Sequence, residues 1–125
     1  MPVIEIKALA QRVPIDVAQV MSGLCIDVAK VYGCSPGQVW ATWTWIEPGH
    51  YVEGDQKAMV QPEDTHPPIV NITAFEGKSE TEIKTVLKCI SDSLSGGLNL
   101  DGNLFITYTE ARSGRVLAGG SVLKK

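Results

Sequence analysis

Several segments of this chain occur twice. Pro2-Val3-Ile4-Glu5-Ile6 returns as Pro68-Ile69-Val70-Asn71-Ile72, and Val39-Trp40-Ala41-Thr42-Trp43 returns as Leu104-Phe105-Ile106-Thr107-Tyr108. A third block, Gly49-His50-Tyr51-Val52-Glu53-Gly54, is matched by Gly114-Arg115-Val116-Leu117-Ala118-Gly119 at a spacing of 65 residues. Repetition of this kind means that the fold is assembled from two copies of one supersecondary unit, each incomplete without the other.

Each copy reads as strand, helix, strand and short hairpin. A right-handed crossover turns the first three elements into a parallel βαβ unit with its helix on one face. The expected architecture is therefore α+β (α/β): two tandem βαβ repeats forming a four-stranded sheet with two helices on one face. At 125 residues the chain makes one domain. Repeat one covers about 2–54, a joining loop about 55–67, and repeat two about 68–120. The first helix is expected from about Pro14 to Tyr32, with Val17, Val20, Met21, Leu24, Val28 and Val31 as its inner stripe and Gly33 as its stop. In the second, Ser79 and Glu82 form a capping box. Its stripe is Ile83, Val86, Leu87, Ile90 and Leu94, and Gly96-Gly97 is expected to end it. Glu53 to Pro67 is polar, includes Pro62, Glu63 and Asp64, and reads as loop. The hairpin segments around Tyr51-Val52 and Val116-Leu117 are too short to stand alone, so they are expected to pair outside the subunit.

A net charge of −3 lacks the basic face that a nucleic-acid partner requires. No apolar run reaches the roughly 18 residues of a membrane span. Cys25, Cys34 and Cys89 have no paired short spacing, and His50 and His66 have no metal-ligand spacing, so neither disulfides nor a metal nor another cofactor is expected. Reduced cysteines and the absence of a signal-peptide core point to the cytoplasm, and the partner is expected to be a small molecule.

Pro2 directly follows the initiator methionine. A proline is tolerated at the start of a strand for purely structural reasons. Removal of Met1, however, would expose a secondary amine, and a chain-terminal amine titrates near 7.7–8.0 before its site lowers that value by desolvating the cation. Such a group suits a base that works at neutral pH. Arg12 and Lys78 follow the first strand of each repeat and precede its helix, where open α/β sheets commonly hold ligands. Each is a solvated loop cation or a carboxylate ligand, bidentate for Arg12 and a point charge for Lys78. Trp43, Trp45 and Tyr51 are strand aromatics that either pack or wall an apolar pocket, with packing favoured for the two tryptophans.

Pro2, the Glu76-Gly77-Lys78-Ser79 turn, the Gly114-x-x-x-x-Gly119-Gly120 ending, Arg12 and Gly49-His50-Tyr51 together resemble the tautomerase superfamily, of the 4-oxalocrotonate tautomerase and macrophage migration inhibitory factor type. The resemblance spans nearly the whole chain. It implies a homotrimer of fused repeats and an isomerase of small anionic 2-oxo or enol acids, with Pro2 as general base. Lys78, Arg12, Trp40, Phe105 and Tyr51 would line the substrate site. Trp40 and Phe105 stand where the small tautomerases carry a second substrate-binding arginine, which argues against a dicarboxylate substrate. Two alternatives stay open. One is hydration, dehalogenation or decarboxylation of a small acid by protonated Pro2, with Glu110, Arg112 and Arg115 near the last strand. The other is a binding or structural trimer without chemistry.

Overall fold

The computed structural model describes residues 1–61, 65–100 and 102–124. In chain order the elements are β1 (Val3–Ala8), β2 (Ala10–Gln11), α1 (Val17–Tyr32), a 3-10 turn (Pro36–Gln38), β3 (Trp40–Trp45), β4 (Val52–Glu53), β5 (Gln56–Lys57), β6 (Val60–Gln61), β7 (Ile69–Phe75), α2 (Glu80–Leu98), β8 (Phe105–Ala111), β9 (Val116–Ala118) and β10 (Ser121–Leu123). The main sheet has the order β3-β1-β7-β8. The outer pairs are parallel, as βαβ units require, and the central pair β1–β7 is antiparallel, with Val3 opposite Thr73 and Lys7 opposite Ile69. The two repeats therefore meet head to tail.

Alternation along the strands sends Ile4, Ile6, Val70 and Ile72 inward. There they meet Leu24, Val28, Val86, Ile90 and Leu94 from the two helices in one core. Each such buried side chain contributes about 1.5–3 kcal/mol. The opposite face of the sheet is open and polar at its centre, with Thr42, Glu5, Asn71 and Thr107 in one row across the four strands. Asn71 Oδ1 accepts from the hydroxyls of Thr107 at 2.7 Å and Thr109 at 3.0 Å.

The duplication extends to individual bonds. Trp40 N donates to Pro2 O at 3.0 Å and Phe105 N to Pro68 O at 3.0 Å. Gly49 N donates to Ala58 O, and Gly114 N to Leu123 O. The hairpins β4–β5 and β9–β10 share one register, Val52 opposite Lys57 and Leu117 opposite Val122. Their turn glycines have matching positive φ, +81° at Gly49 and Gly114, +64° at Gly54 and +60° at Gly119, a region that side chains with a Cβ seldom enter.

The helix ends differ from expectation. α1 starts at Val17, because Asp16 Oδ1 accepts from Gln19 N and makes Asp16 the N-cap; Pro14 lies outside. Gly33 is the C-cap, as expected. Val31 is exposed, and Ala29 and Tyr32 take the inner positions in its place. Ser79 and Glu82 form the expected capping box, but α2 continues through Gly96-Gly97 to Leu98 and ends on Asn99 at φ +56°. A Cβ at Gly97 would stand 3.1 Å from Val20 Cγ1, whereas one at Gly96 would meet nothing within 4 Å. Gly97 is thus a contact point between helices and not a stop. The joining segment is not simply a loop, since β5 pairs with β4 and β6 pairs in parallel with β2; its Pro62, Glu63 and Asp64 lie outside the described residues.

These contacts set opposite expectations for adjacent glycines. Gly96→Ala should stabilise the chain by about 0.5 kcal/mol through helix propensity. Gly97→Val should cost about 1–2 kcal/mol through overpacking against Val20. Urea midpoints at one protein concentration check both, and equal shifts at the two positions would contradict the helix contact.

Candidate active site

The antiparallel β1–β7 pair places the start of each repeat beside the end of the other repeat's first strand. This creates two ends of the sheet, one at Pro2 and one at Pro68. At the Pro2 end, Trp40 opens β3, Phe75 closes β7, and the β9–β10 hairpin folds over. Pro2 is fully buried there. Beside it lies a cavity of about 220 Å³ lined chiefly by Met1, Val3, Trp40, Phe75, Val116 and Leu117. Thr73 is its one polar lining residue; neither a cation nor a carboxylate lines it in the single protomer. The lining reaches Pro2 through its two chain neighbours, Met1 and Val3.

Lys78 lies at the same end, just past β7. Its ammonium donates to Tyr32 O at 2.8 Å, lies 4.4 Å from the Tyr32 ring centroid, and is 3.8 Å from Glu82 Oε2. It completes the C-terminus of α1, where a cation complements the helix dipole. Glu82 in turn is held below the usual carboxylate range by its bonds to Ser79, with Lys78 a lesser cause.

Arg12, Phe105 and Tyr51 do not join this group within a protomer. Arg12 follows β1, whose last residues lie beside the first residues of β7, and Phe105 pairs with Ile69. Tyr51 is pinned at the Pro68 end, where its hydroxyl donates to Pro67 O at 2.7 Å. The physical reason is strand direction: Arg12 and Tyr51 follow β1 and β3, which both run away from Pro2, and Phe105 opens β8 at the Pro68 end because repeat two is antiparallel to repeat one.

At the Pro68 end the chain does not stop one residue before the proline but runs back through Pro67 and His66. Pro67 occupies the position equivalent to Met1, and His66 behind it is the one buried polar or charged side chain among the described residues. Its ring lies 2.8 Å from Gln56 O and 2.9 Å from Thr65 Oγ1, its backbone N donates to Glu53 Oε2 at 2.8 Å, and Tyr51 meets the ring edge-on at 5.0 Å. Among the described residues no cluster of His, Cys, Asp and Glu is placed to hold a metal, and no helix is long and apolar enough to cross a membrane.

The remaining candidates are structural in position. Trp43 packs against the core and meets Trp45 edge-on at 5.3 Å, on the helix side of the sheet. Glu110 shares that side with Tyr108, away from the cavity. The Tyr108 hydroxyl is buried with no protein partner, and burial first, then the neighbouring Tyr32, Glu110 and Glu82, pushes its pKa up to about 12. Burial raises Tyr32 and Tyr51 as well. The residues missed from sequence are Thr73, Phe75 and the inner side of the second hairpin. Their signal was the duplication, once the two copies are taken to pair antiparallel.

No family model matches the chain and no curated protein matches it. Solved structures do. A fused 4-OT wild-type symmetric trimer superposes with a TM-score of 0.81 at 12% identity, covering 96% of this chain and 94% of that one. N1, a member of the cis-3-chloroacrylic acid dehalogenase family, gives 0.75 at 14% identity over 97% and 82%. Macrophage migration inhibitory factor of Toxoplasma gondii gives 0.70 at 11% identity over 96% and 98%.

The raised tyrosines have a consequence for stability. A phenol that keeps its proton in the folded chain above pH 10 makes the unfolded chain the better acid, so stability present below about pH 10 is lost as the pH rises towards 12. An absorbance titration should show the last tyrosine ionising near 12, with the urea midpoint falling over the same range. Tyr108→Phe should remove that last step. Complete ionisation of all three tyrosines by about pH 10.5, near the ordinary value, would contradict the buried position. Over almost its full length this chain has the fold of the tautomerase superfamily.

Proposed function

We propose that this protein is a cytoplasmic isomerase of the tautomerase superfamily, acting on small 2-oxo or enol acids with the amine of Pro2 as general base. The observation that carries the reading is the position of Met1 in the wall of the cavity beside buried Pro2. In this reading, removal of that methionine enlarges the cavity and frees the prolyl nitrogen at its edge. The free amine takes a proton from the enol oxygen or the carbon next to the carbonyl, and its cation returns a proton at the other site. The apolar surroundings favour the neutral amine at pH 7.

Lys78 is the cation assigned here to hold the substrate carboxylate, with Trp40 as an apolar wall; Arg112 and Arg115, next in the chain to the cavity-lining Ala111 and Val116, are the other cations at this end. In this reading Arg12, Phe105 and Tyr51 can reach a Pro2 only from another protomer. Trp40 at 50% exposure, Phe105 at 56% and Leu117 at 70% give the open sheet face and hairpins apolar surface of the kind that subunit contacts cover. Together with the likeness to fused trimers, this supports a homotrimer that completes the site. Protonated-Pro2 hydration or dehalogenation is less well supported, because Glu110 lies on the opposite face of the sheet from the cavity.

Purified protein should lack the mass of one methionine and should ketonise phenylenolpyruvate. Pro2→Ala should lower turnover by about 10²–10⁴-fold. Lys78→Ala should raise KM for the acid about tenfold, equivalent to about 1.4 kcal/mol, with its amide or ester less affected. Full activity in Pro2→Ala, or retained Met1 in an active enzyme, would overturn the assignment. A monomeric mass by light scattering would overturn the trimer.

A further inference from the structure

We propose that the Pro68 end is a second, silenced copy of the Pro2 site, prevented from acting by the peptide bond between Pro67 and Pro68 and by the packing of His66 and Tyr51 that goes with it. The substrate class is the one proposed for Pro2, small 2-oxo or enol acids, and the inference rests on that reading.

The argument is one of equivalence. Pro68, like Pro2, is buried at the start of an inner strand, and each carbonyl accepts at 3.0 Å from the first residue of the adjacent parallel strand, Phe105 or Trp40. Each end has an aromatic residue at that donor position and a hairpin with the same register and the same glycine turns. Each end also has one cation following the neighbouring repeat's first strand, Lys78 at the Pro2 end and Arg12 at the Pro68 end. Arginine, which can bind a carboxylate bidentately, is the better ligand of the two.

The ends differ in what precedes the proline. At one, Met1 is a single residue that processing can take away. At the other, the Pro68 nitrogen is a tertiary amide with no basic lone pair, and the chain before it continues through half-buried Pro67 and buried His66. Tyr51 holds this segment by donating to Pro67 O, and His66 ties it to Gln56, Thr65 and Glu53. The residue equivalent to Tyr51 is Val116, which lines the Pro2 cavity without obstructing it.

Circular permutation tests this, because Met1 and Leu123 line the same cavity and a short linker can join the two ends of the chain. The permuted chain starts Met-Pro68, passes through the linker to Pro2, ends at Pro67 and carries Tyr51→Val. Its Pro2 nitrogen is then acylated and its Pro68 nitrogen free once the new methionine is removed. We expect phenylenolpyruvate turnover that falls at least 100-fold on Pro68→Ala and is indifferent to Pro2→Ala. Arg12→Ala should raise KM by a larger factor in the permutant than in the parent, and Lys78→Ala by a smaller one. A permutant with the parent's oligomeric mass and circular dichroism but no Pro68-dependent turnover overturns the inference. If the permutant does not fold, co-expressed chains 1–67 (Tyr51→Val) and Met-68–125 present the same amine, and the same Pro68→Ala comparison decides. The proposed function itself fails separately, if the unpermuted protein shows no dependence on Pro2.

Discussion

The hydrogen-bonded ladder between β1 and β7 is the constraint on which the rest of the molecule depends. Among the described residues it is the strand pairing that joins the two repeats, and its antiparallel direction makes them head-to-tail partners. From it follow a continuous four-stranded sheet, two helices packed side by side on one face, and a hairpin at each end that closes over the other repeat's first residue. Reversing that direction would put both prolines at one end and both cations at the other. The observed direction instead gives each proline the cation that follows the other repeat's first strand, the aromatic that opens its own repeat's second long strand, and the other repeat's hairpin.

Most of this architecture was legible because duplication is a strong signal. Matching apolar blocks located the four long strands, and the capping box at Ser79 and the left-handed Gly33 marked two helix ends where local chemistry decides. Reading failed where tertiary contact outweighed local preference. Gly96-Gly97 resembles a helix stop, but the close approach of Val20 makes a residue without a side chain useful inside the helix. Asp16 began α1 later than Pro14 suggested because a carboxylate acceptor for Gln19 N outweighs a preset φ. The strands in the joining segment are each two residues long and depend on partners elsewhere in the chain, which local composition does not reveal.

The site was legible in part for the same reason. Pro2, Trp40 and Lys78 were picked out as individual candidates, and the structure brings them to one end. Arg12, Phe105 and Tyr51 were found by the same comparison, but a repeat copies residues without saying which copy faces which. The cavity wall made by Phe75 and the second hairpin had no motif of its own, only its position after an antiparallel turn of the whole unit. His66 lies in a loop as read, but it is buried and bonded through its ring to Gln56 and Thr65, which composition does not reveal.

The account turns on the chemical state of one nitrogen. Nuclear magnetic resonance of protein labelled with nitrogen-15 proline, followed from about pH 5 to 10, observes it directly. The account predicts one prolyl signal that titrates as a secondary amine with a midpoint at or below about 7, and that disappears in Pro2→Ala. Prolyl signals that all remain those of amides across the range, or an amine that titrates only above about 9, would contradict it.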